Sequence, residues 1–304
     1  MQWGQIKTLF ILSFLILDLF LLQQFLGKQD ENLEQIEEST PAEEQLALEN
    51  IDYSEIPEEQ EDIAFINGSR AEFSEEDMAA IDSIEGISRP DFDNDNLLYV
   101  QFNDPISIED DDSSEEIMDK VDDYIIYGDQ YAYWGKNEEH DVLLFFQKNN
   151  NRTIYFNESG LLMFLVEDGS ITGYYQTILG NIESENEKTE LVQPISAVYQ
   201  LYDNGDIVSG DKITDMVVGY HSKTKTNKED PTGIQVFAPT WKITVNNEEI
   251  YFVNATEGKV LDIEEDEFIL DTMETVEASI PLKEEEVKEN PTPGESSESD
   301  DTNE

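Results

Sequence analysis

The side chains of this chain that could carry out chemistry are almost all carboxylates. The sequence contains 71 Asp and Glu residues against 17 Lys and Arg, with two histidines and no cysteine. The lack of cysteine excludes a thiol nucleophile, a disulfide and a Cys-based zinc site. His140 and His221 have no ligand-spaced partner in the sequence. A formal charge of −54 disfavours nucleic acid and anionic lipid headgroups as partners, because both are bound by basic patches.

Alternating aspartates give the sequence its one similarity to a metal-binding loop. Asp91, Asp93 and Asp95 are spaced as in the calcium loop of an EF-hand. That loop requires Gly at its sixth position and Glu at its twelfth, where this chain has Asn96 and Phe102. The sequence therefore disfavours a specific calcium site, and we assign no metal ligand.

No catalytic motif accompanies the carboxylates. Phosphate-binding glycine loops, Gly-x-Ser-x-Gly and His-Glu-x-x-His do not occur in the sequence. Glycosidases need two carboxylates at a defined separation, and no spacing singles out such a pair among 71 acidic residues. We therefore predict that the chain is not an enzyme, has no catalytic residue and needs no cofactor.

One apolar segment, residues 9–26, is long enough to cross a membrane as a helix of about 27 Å. No small-x-small cleavage site follows it, which favours a retained signal anchor over a cleaved signal peptide. Lys7 and Lys28 nearly balance the local charge, and the short leader with the long acidic body favours a cytoplasmic N-terminus. We expect a single-pass protein of the cell membrane whose main domain is extracytoplasmic.

Asp18 lies in the middle of this apolar segment. A carboxylate at mid-membrane costs about 2.5–3.5 kcal/mol on insertion scales, and such residues usually face another helix. The functional interpretation is a contact with the transmembrane helix of a partner. The alternative is a polar residue that is tolerated in a very apolar helix.

Local signals predict an α+β fold behind the anchor. Ser74 with Asp77, Ser113 before an apolar face, and Pro194 each predict a helix start. Turn residues separate strands predicted at 97–102, 130–134, 142–147, 153–157, 161–166, 171–178, 213–220, 234–237, 241–245, 249–254 and 259–263. A helix followed by an antiparallel meander thus occurs twice. Trp241 lies in a strand-like apolar run, which favours a place in the core.

The chain therefore divides into five predicted segments with different compositions. They are a leader and anchor over 1–27, an acidic stalk over 28–62, a first α+β unit over 63–182, a second α+β unit over 183–282, and a disordered acidic tail over 283–304.

Two parts of the sequence resemble the YycI (WalI) family. The specific part is the opening Met1-Gln2-Trp3-Gly4-Gln5-Ile6-Lys7, which runs into the apolar segment with Asp18. The looser part resembles the last sheet of that family and reads Ala238-Pro239-Thr240-Trp241 and Tyr251-Phe252-Val253-Asn254-Ala255. This resemblance implies a β-rich, YycH-like extracytoplasmic fold. The extreme acidity of the chain departs from the pattern of the family.

The resemblance also implies a function. Members of the family are accessory regulators of the WalK (YycG) sensor histidine kinase, which governs cell-wall metabolism in Gram-positive bacteria, and they act with a YycH protein. The residues we expect to contact partners are Trp3, Lys7, Ser13 and Asp18. Trp3 could equally be an interfacial membrane anchor.

Two other functions are left open by the residues. The chain could be a cell-surface binding module for wall polymer, peptide or a protease, which would need an exposed groove in the exported domain. A surface hydrolase would need convergent carboxylates with perturbed pKa values in a cleft.

Overall fold

The computed structural model describes Lys7, residues 11, 12, 14, 15 and 17, and residues 42–279 apart from 59–60, 91–94, 110–111 and 223–232. The helices with defined bounds are α1 (Ala42–Leu48), α2 (Glu75–Asp82), α3 (Ser114–Val121), α4 (Pro194–Asn204) and α5 (Glu265–Ser279). The strands are β1 (Ile66–Arg70), β2 (Ile87–Ser88), β3 (Leu98–Ser107), β4 (Tyr131–Asn137), β5 (Val142–Asn149), β6 (Arg152–Tyr155), β7 (Leu161–Glu167), β8 (Ser170–Gln176), β9 (Leu179–Ser184), β10 (Ile213–Ser222), β11 (Gln235–Val245), β12 (Glu249–Asn254) and β13 (Val260–Leu261).

The strands form two sheets that share a connection. The first sheet runs in the order β4-β5-β7-β8-β3-β2 with antiparallel pairing. The second sheet is built on β11, which pairs with β10 on one side and with β1 and β12 on the other. β9 extends it beyond β1, and β13 extends it beyond β12. The predicted α+β class with mostly antiparallel strands is confirmed.

The connection between the sheets is the β5–β6 hairpin. The end of β5 pairs with β6, and β6 then pairs in parallel with β10 of the second sheet, through Ile154 with Tyr220 and Tyr155 with His221. Gly219 permits this close approach. A Cβ at Gly219 would lie 2.4 Å from Tyr155 Cε2 and 2.5 Å from the Thr153 carbonyl oxygen. One chain segment therefore fixes the position of the two sheets relative to each other.

Three clusters of buried side chains hold the sheets and helices together. The first lies between the first sheet and helices α2 and α3, and the second between the second sheet and helices α1 and α4. The third lies on the opposite face of the first sheet, under α5. Strand β5 alternates between two of these clusters, since Leu143 and Phe145 belong to the first and Leu144 and Phe146 to the third. It is therefore buried on both faces.

The helix starts follow the local sequence signals. Ser74 and Ser113 cap α2 and α3, and each forms a capping box, with Asp77 and Glu116 respectively. Pro194 occupies the first turn of α4, and Gly205 ends that helix in the left-handed region with φ of 82°. The predicted helix starts are therefore confirmed. They could be predicted from the sequence because a helix cap depends on only a few neighbouring residues.

Two strands continue through prolines, past the strand ends that the sequence predicts at residues 102 and 237. Pro105 lies inside β3, at a register shift between Gln101 and Ile106 where the ladder to β8 is interrupted. Pro239 lies inside β11, between the part that pairs with β1 and the part that pairs with β12. The Pro239 carbonyl accepts a hydrogen bond from the Ala255 amide at 2.9 Å. In a strand, the nitrogen and the carbonyl of one residue point to the same side. The Pro239 nitrogen therefore points between the part of β11 that pairs with β1 and the part that pairs with β12, where no N–H donor is needed.

The predicted stalk over 28–62 is wrong for its second part. Residues 42–48 form α1, and Leu46 is fully buried in the second cluster together with Ile51. Leu46 is the buried apolar side chain of this helix, whereas Leu48 is 77% exposed, so the sequence of the helix carries little sign of burial. The folded body therefore begins by residue 42, and residues 28–41 lie outside the described part.

The division at residue 183 stays a prediction, and several contacts cross it, including the parallel pairing of β6 with β10. Strand β1 of the predicted first unit pairs with β11 of the second. Helix α5, which the sequence analysis does not predict, packs Ile269 and Val276 against the first sheet. The predicted tail over 283–304 lies outside the described residues.

The predicted membrane segment over 9–26 is described only at Ile11, Leu12, Phe14, Leu15 and Leu17, which are helical and exposed. No helix within the described part of the chain is both long and apolar enough to cross a bilayer.

Substitution of Gly219 tests the sheet connection. We predict that Gly219→Ala lowers the free energy of unfolding by about 1–3 kcal/mol, because the new methyl group overlaps the Thr153 carbonyl, which is backbone. Gly135→Ala is the matched control, since a Cβ at that strand position meets no atom within 4 Å. Urea unfolding of both variants measures the difference. Equal midpoints for the two variants would contradict the close approach.

Candidate functional site

A cavity of about 480 Å³ lies where the two sheets meet the first two turns of α5. The segments that line it are the turn after β6, the end of β10, the middle of β11, the turn after β12, and the chain that leads from β13 into α5. Its apolar lining comes from Phe156, Ala238, Leu261, Ile263 and Phe268. The cavity is therefore a product of the sheet connection and of the helix that covers it.

Phe156 is the strained residue of this cavity. Its φ of 47° is in the left-handed region, which bulky side chains rarely adopt. Such a conformation costs on the order of 1–3 kcal/mol and persists only where packing enforces it. The ring packs against Phe268 at 5.4 Å and against Trp134 at 5.0 Å between ring centroids. Aromatic contacts with α5 and β4 thus hold the chain where it leaves β6.

His221 contributes the titratable base of the cavity. Its Nδ1 lies 3.1 Å from the Tyr155 carbonyl oxygen. A carbonyl only accepts hydrogen bonds, so Nδ1 is assigned the proton and Nε2 is an acceptor. Burial lowers the pKa of His221, and the bond to Tyr155 opposes that shift only in part. The imidazole is therefore neutral at pH 7.

Acidic side chains are frequent in the lining of the cavity. Among the described residues that line it, six are carboxylates and none is Lys or Arg, the six being Glu158, Glu257, Asp262, Glu264, Glu267 and Asp271. They come from separate segments that the fold brings together.

A buried polar network positions the turn after β6. Gln235 accepts a hydrogen bond from Asn157 Nδ2 at 2.7 Å and donates one to Ser159 Oγ at 2.9 Å. Arg70 donates to the Glu158 carbonyl at 2.7 Å and, from Nε, to Ser159 Oγ at 3.3 Å. Arg70 and Gln235 belong to the second sheet, so the network ties that sheet to the turn that enters the first sheet.

A second set of hydrogen bonds holds the start of α5. Trp134 Nε1 donates to Glu265 at 2.7 Å, and Asn137 Nδ2 donates to the same carboxylate at 2.9 Å. Asn137 also donates to Asp266 at 3.2 Å, and His140 Nε2 lies 3.4 Å from that side chain. The strand β4 and its following turn thereby fix the helix over the cavity.

Three of the four predicted partner-contact residues fall outside the described part of the chain. Trp3, Ser13 and Asp18 are outside the described residues, and Lys7 is helical and exposed. Their role stays a prediction. Trp241 is fully buried, as predicted for a core residue, and its indole N–H donates to the Val192 carbonyl at 3.2 Å.

Metal binding finds no support in the described part of the chain. Asp91 and Asp93 of the EF-hand-like spacing lie outside it, whereas Asp95 lies inside it. Among the described residues, no three His, Asp or Glu side chains are placed to hold a metal ion together.

The sequence analysis missed His221 and α5 as parts of a site. Nothing in the local sequence marks His221, because its neighbours in the cavity come from distant segments. Helix α5 did carry a signal, since Ile269, Met273 and Val276 repeat at helical spacing and pack in the third cluster.

The geometry defines a β-rich α+β domain with an acidic cavity at the junction of two sheets. A family model described as "YycI protein" matches residues 30–256, which is most of the chain. The chain therefore belongs to the YycI family, a family of regulatory accessory proteins of the WalK/YycG kinase system. The matched residues end before α5.

Comparison with solved structures gives a remote similarity. The chain is similar to the Bacillus megaterium YpeB C-terminal domain, with 13% sequence identity and a TM-score of 0.37 over 64% of this chain and 97% of that chain. Comparison with curated proteins finds no match.

The buried imidazole predicts a pH dependence of stability. Because the pKa of His221 is lower in the folded than in the unfolded chain, the unfolded chain binds its proton first. Above about pH 6.5, the ordinary histidine pKa, protonation of His221 therefore has no effect on the free energy of unfolding. As the pH falls below that value, protonation of His221 in the unfolded chain lowers the free energy of unfolding. We predict that His221→Gln loses less unfolding free energy than the wild type between pH 8 and pH 5. Urea unfolding at both pH values measures this difference, and identical losses would contradict it.

Proposed function

We propose that this chain is a membrane-anchored regulator of a WalK-type sensor histidine kinase that controls cell-wall metabolism, and that it acts together with a YycH-type protein. Membership of the YycI family carries the proposal, because the family implies a regulatory role with this kinase system. The apolar segment over 9–26 supports an anchor with a cytoplasmic N-terminus and an extracytoplasmic domain at the cell membrane.

Regulation through the anchor requires unequal binding. A single helix changes the activity of a kinase only if it binds the two signalling states of the kinase with different affinity. Asp18 and Ser13 supply hydrogen-bonding groups inside an apolar segment, where such groups link helices. Lys7 and Trp3 would lie at the membrane interface, where Lys and Trp are common. We propose these four residues as the contacts of the anchor.

The exported domain supplies the second contact in this proposal. Its two sheets are joined by the β5–β6 hairpin and the Gln235 network, so it can present a fixed surface to the kinase or to the YycH-type protein. The cavity favours one alternative, a cell-surface module that binds a peptide or wall component without the anchor.

Recovery of partners from the native membrane tests the proposal. We predict that the full-length wild type, solubilised in detergent, recovers a sensor kinase and a YycH-like protein. Asp18→Leu should recover roughly 5- to 30-fold less of both, which corresponds to the loss of about 1–2 kcal/mol from an interhelical hydrogen bond. Quantitative mass spectrometry of the recovered proteins measures the ratio.

Asp18→Asn is the matched control, because it keeps the hydrogen-bonding group and removes the carboxylic acid. Its recovery should stay close to that of the wild type. Recovery of both partners by Asp18→Leu would place the contact in the exported domain. Recovery of neither by the wild type would reject the kinase-regulator proposal and favour the surface module.

A further inference from the structure

Helix α5 contributes few buried apolar side chains to the body that it covers. Ile269 and Val276 are buried in the third cluster, whereas Phe268 and Met273 are only partly buried against it. The remaining buried side chain in the described part of this helix is the polar Thr272. Segments that bury little apolar surface open at a lower free energy than the core of a protein. The packing of α5 is therefore typical of a segment that opens locally.

The polar contacts of α5 are concentrated at its start. Trp134 Nε1 donates to Glu265 at 2.7 Å, and Asn137 Nδ2 donates to Glu265 at 2.9 Å and to Asp266 at 3.2 Å. The acidic first turn also suits the positive end of the helix dipole. The last turn contains no basic residue, so the helix itself supplies no cation at the negative end of its dipole.

The strained backbone of Phe156 depends in part on α5. Its φ of 47° costs on the order of 1–3 kcal/mol and persists only where packing enforces it. One of the rings that pack against Phe156 is Phe268 of α5, at 5.4 Å between centroids. Release of the helix removes this contact and lets the backbone relax. The strain therefore offsets part of the free energy that docking of α5 contributes.

Release of α5 would change the surface of the protein. Phe268 packs on Phe146 as well as on Phe156, and both of these rings are buried while the helix is docked. Phe268 and its neighbours Glu267 and Asp271 also line the cavity at the sheet junction. A released helix thus uncovers two aromatic rings and removes one wall of the cavity. Any molecule that binds one of the two states more tightly shifts the equilibrium between them.

We propose that α5 is a lid that detaches from the first sheet as a unit while the two sheets stay folded. The sheets stay joined because their junction is made by Arg70 of β1, Gln235 of β11 and the turn after β6. The docked lid is the ground state, and the released lid is the local opening of lowest free energy. This inference goes beyond the kinase-regulator proposal and does not depend on it, so either can fail alone.

Labelling of single introduced cysteines with N-ethylmaleimide tests the lid in the full-length protein in detergent. The chain contains no cysteine, so each variant has one thiol. Thr272→Cys reports on the buried side of α5, and Val253→Cys reports on β12 in the second cluster. Each labelling rate is divided by the rate for the same variant unfolded in urea. We expect Thr272→Cys to react at least about 30-fold faster than Val253→Cys, because local opening needs less free energy than unfolding of the sheets.

Substitutions on α5 locate the opening. In the Thr272→Cys protein, Phe268→Ala should speed labelling about tenfold or more, because it removes the ring that packs on Phe146 and Phe156. Leu270→Ala is the matched control on the same helix, since Leu270 is exposed, and it should change the rate by less than about twofold.

A substitution in the second cluster separates release of the lid from unfolding of the whole body. Ile66→Val lies in β1 at a fully buried position and should speed labelling of Val253→Cys roughly 2- to 10-fold. It should leave the labelling of Thr272→Cys unchanged, because the sheets stay folded when the lid opens. Circular dichroism of each variant checks that it is folded.

Three results would overturn the inference. They are equal normalised rates for Thr272→Cys and Val253→Cys, equal acceleration of both by Ile66→Val, and acceleration by Leu270→Ala as large as that by Phe268→Ala. Hydrogen exchange of the wild type gives the same comparison without any substitution. The amides of residues 269–276 should share one protection factor that is lower than those of β7 and β8, and equal protection would also overturn the inference. None of these results affects the recovery of a kinase by the anchor.

Discussion

The passage of one chain segment from the first sheet to the second is the constraint on which the rest of this structure depends. The β5–β6 hairpin leaves the first sheet and pairs in parallel with β10, and Tyr155 then packs over the backbone at Gly219. The turn that follows carries backbone and side-chain polar groups into a buried junction. Such groups cost about 1–3 kcal/mol each when they lack a partner. Arg70 and Gln235 provide those partners from the second sheet.

The cavity follows from the same constraint. Two twisted sheets that meet along one hairpin leave a space beside the junction, and α5 covers it from the side of the first sheet. Trp134 and Asn137 fix the start of that helix through Glu265. The left-handed backbone of Phe156 lies at this point, where strain is held by aromatic packing. Six carboxylates are among the described residues that line the cavity.

The sequence predicts the elements whose signals are local. Helix α2 was predicted because Ser74 and Asp77 define its cap locally, and α3 because Ser113 precedes an apolar face. The parallel pairing of β6 with β10 could not be predicted, since the two strands are distant in sequence and β6 is short. The continuation of β11 through Pro239 depends on a change of neighbouring strand, which is a tertiary feature. His221 could not be predicted as a cavity residue for the same reason, because its surroundings form only when the two sheets join.

The central claim of this account is that the buried junction makes the two sheets one cooperative body. Hydrogen exchange of the full-length wild type and of Gln235→Leu tests it, because that substitution leaves Asn157 and Ser159 without two of their hydrogen bonds. The account predicts that amides of β7 and β8 in the first sheet and of β10 and β11 in the second lose protection by the same factor. Loss confined to β11 and its neighbours, with unchanged protection in β7 and β8, would contradict it.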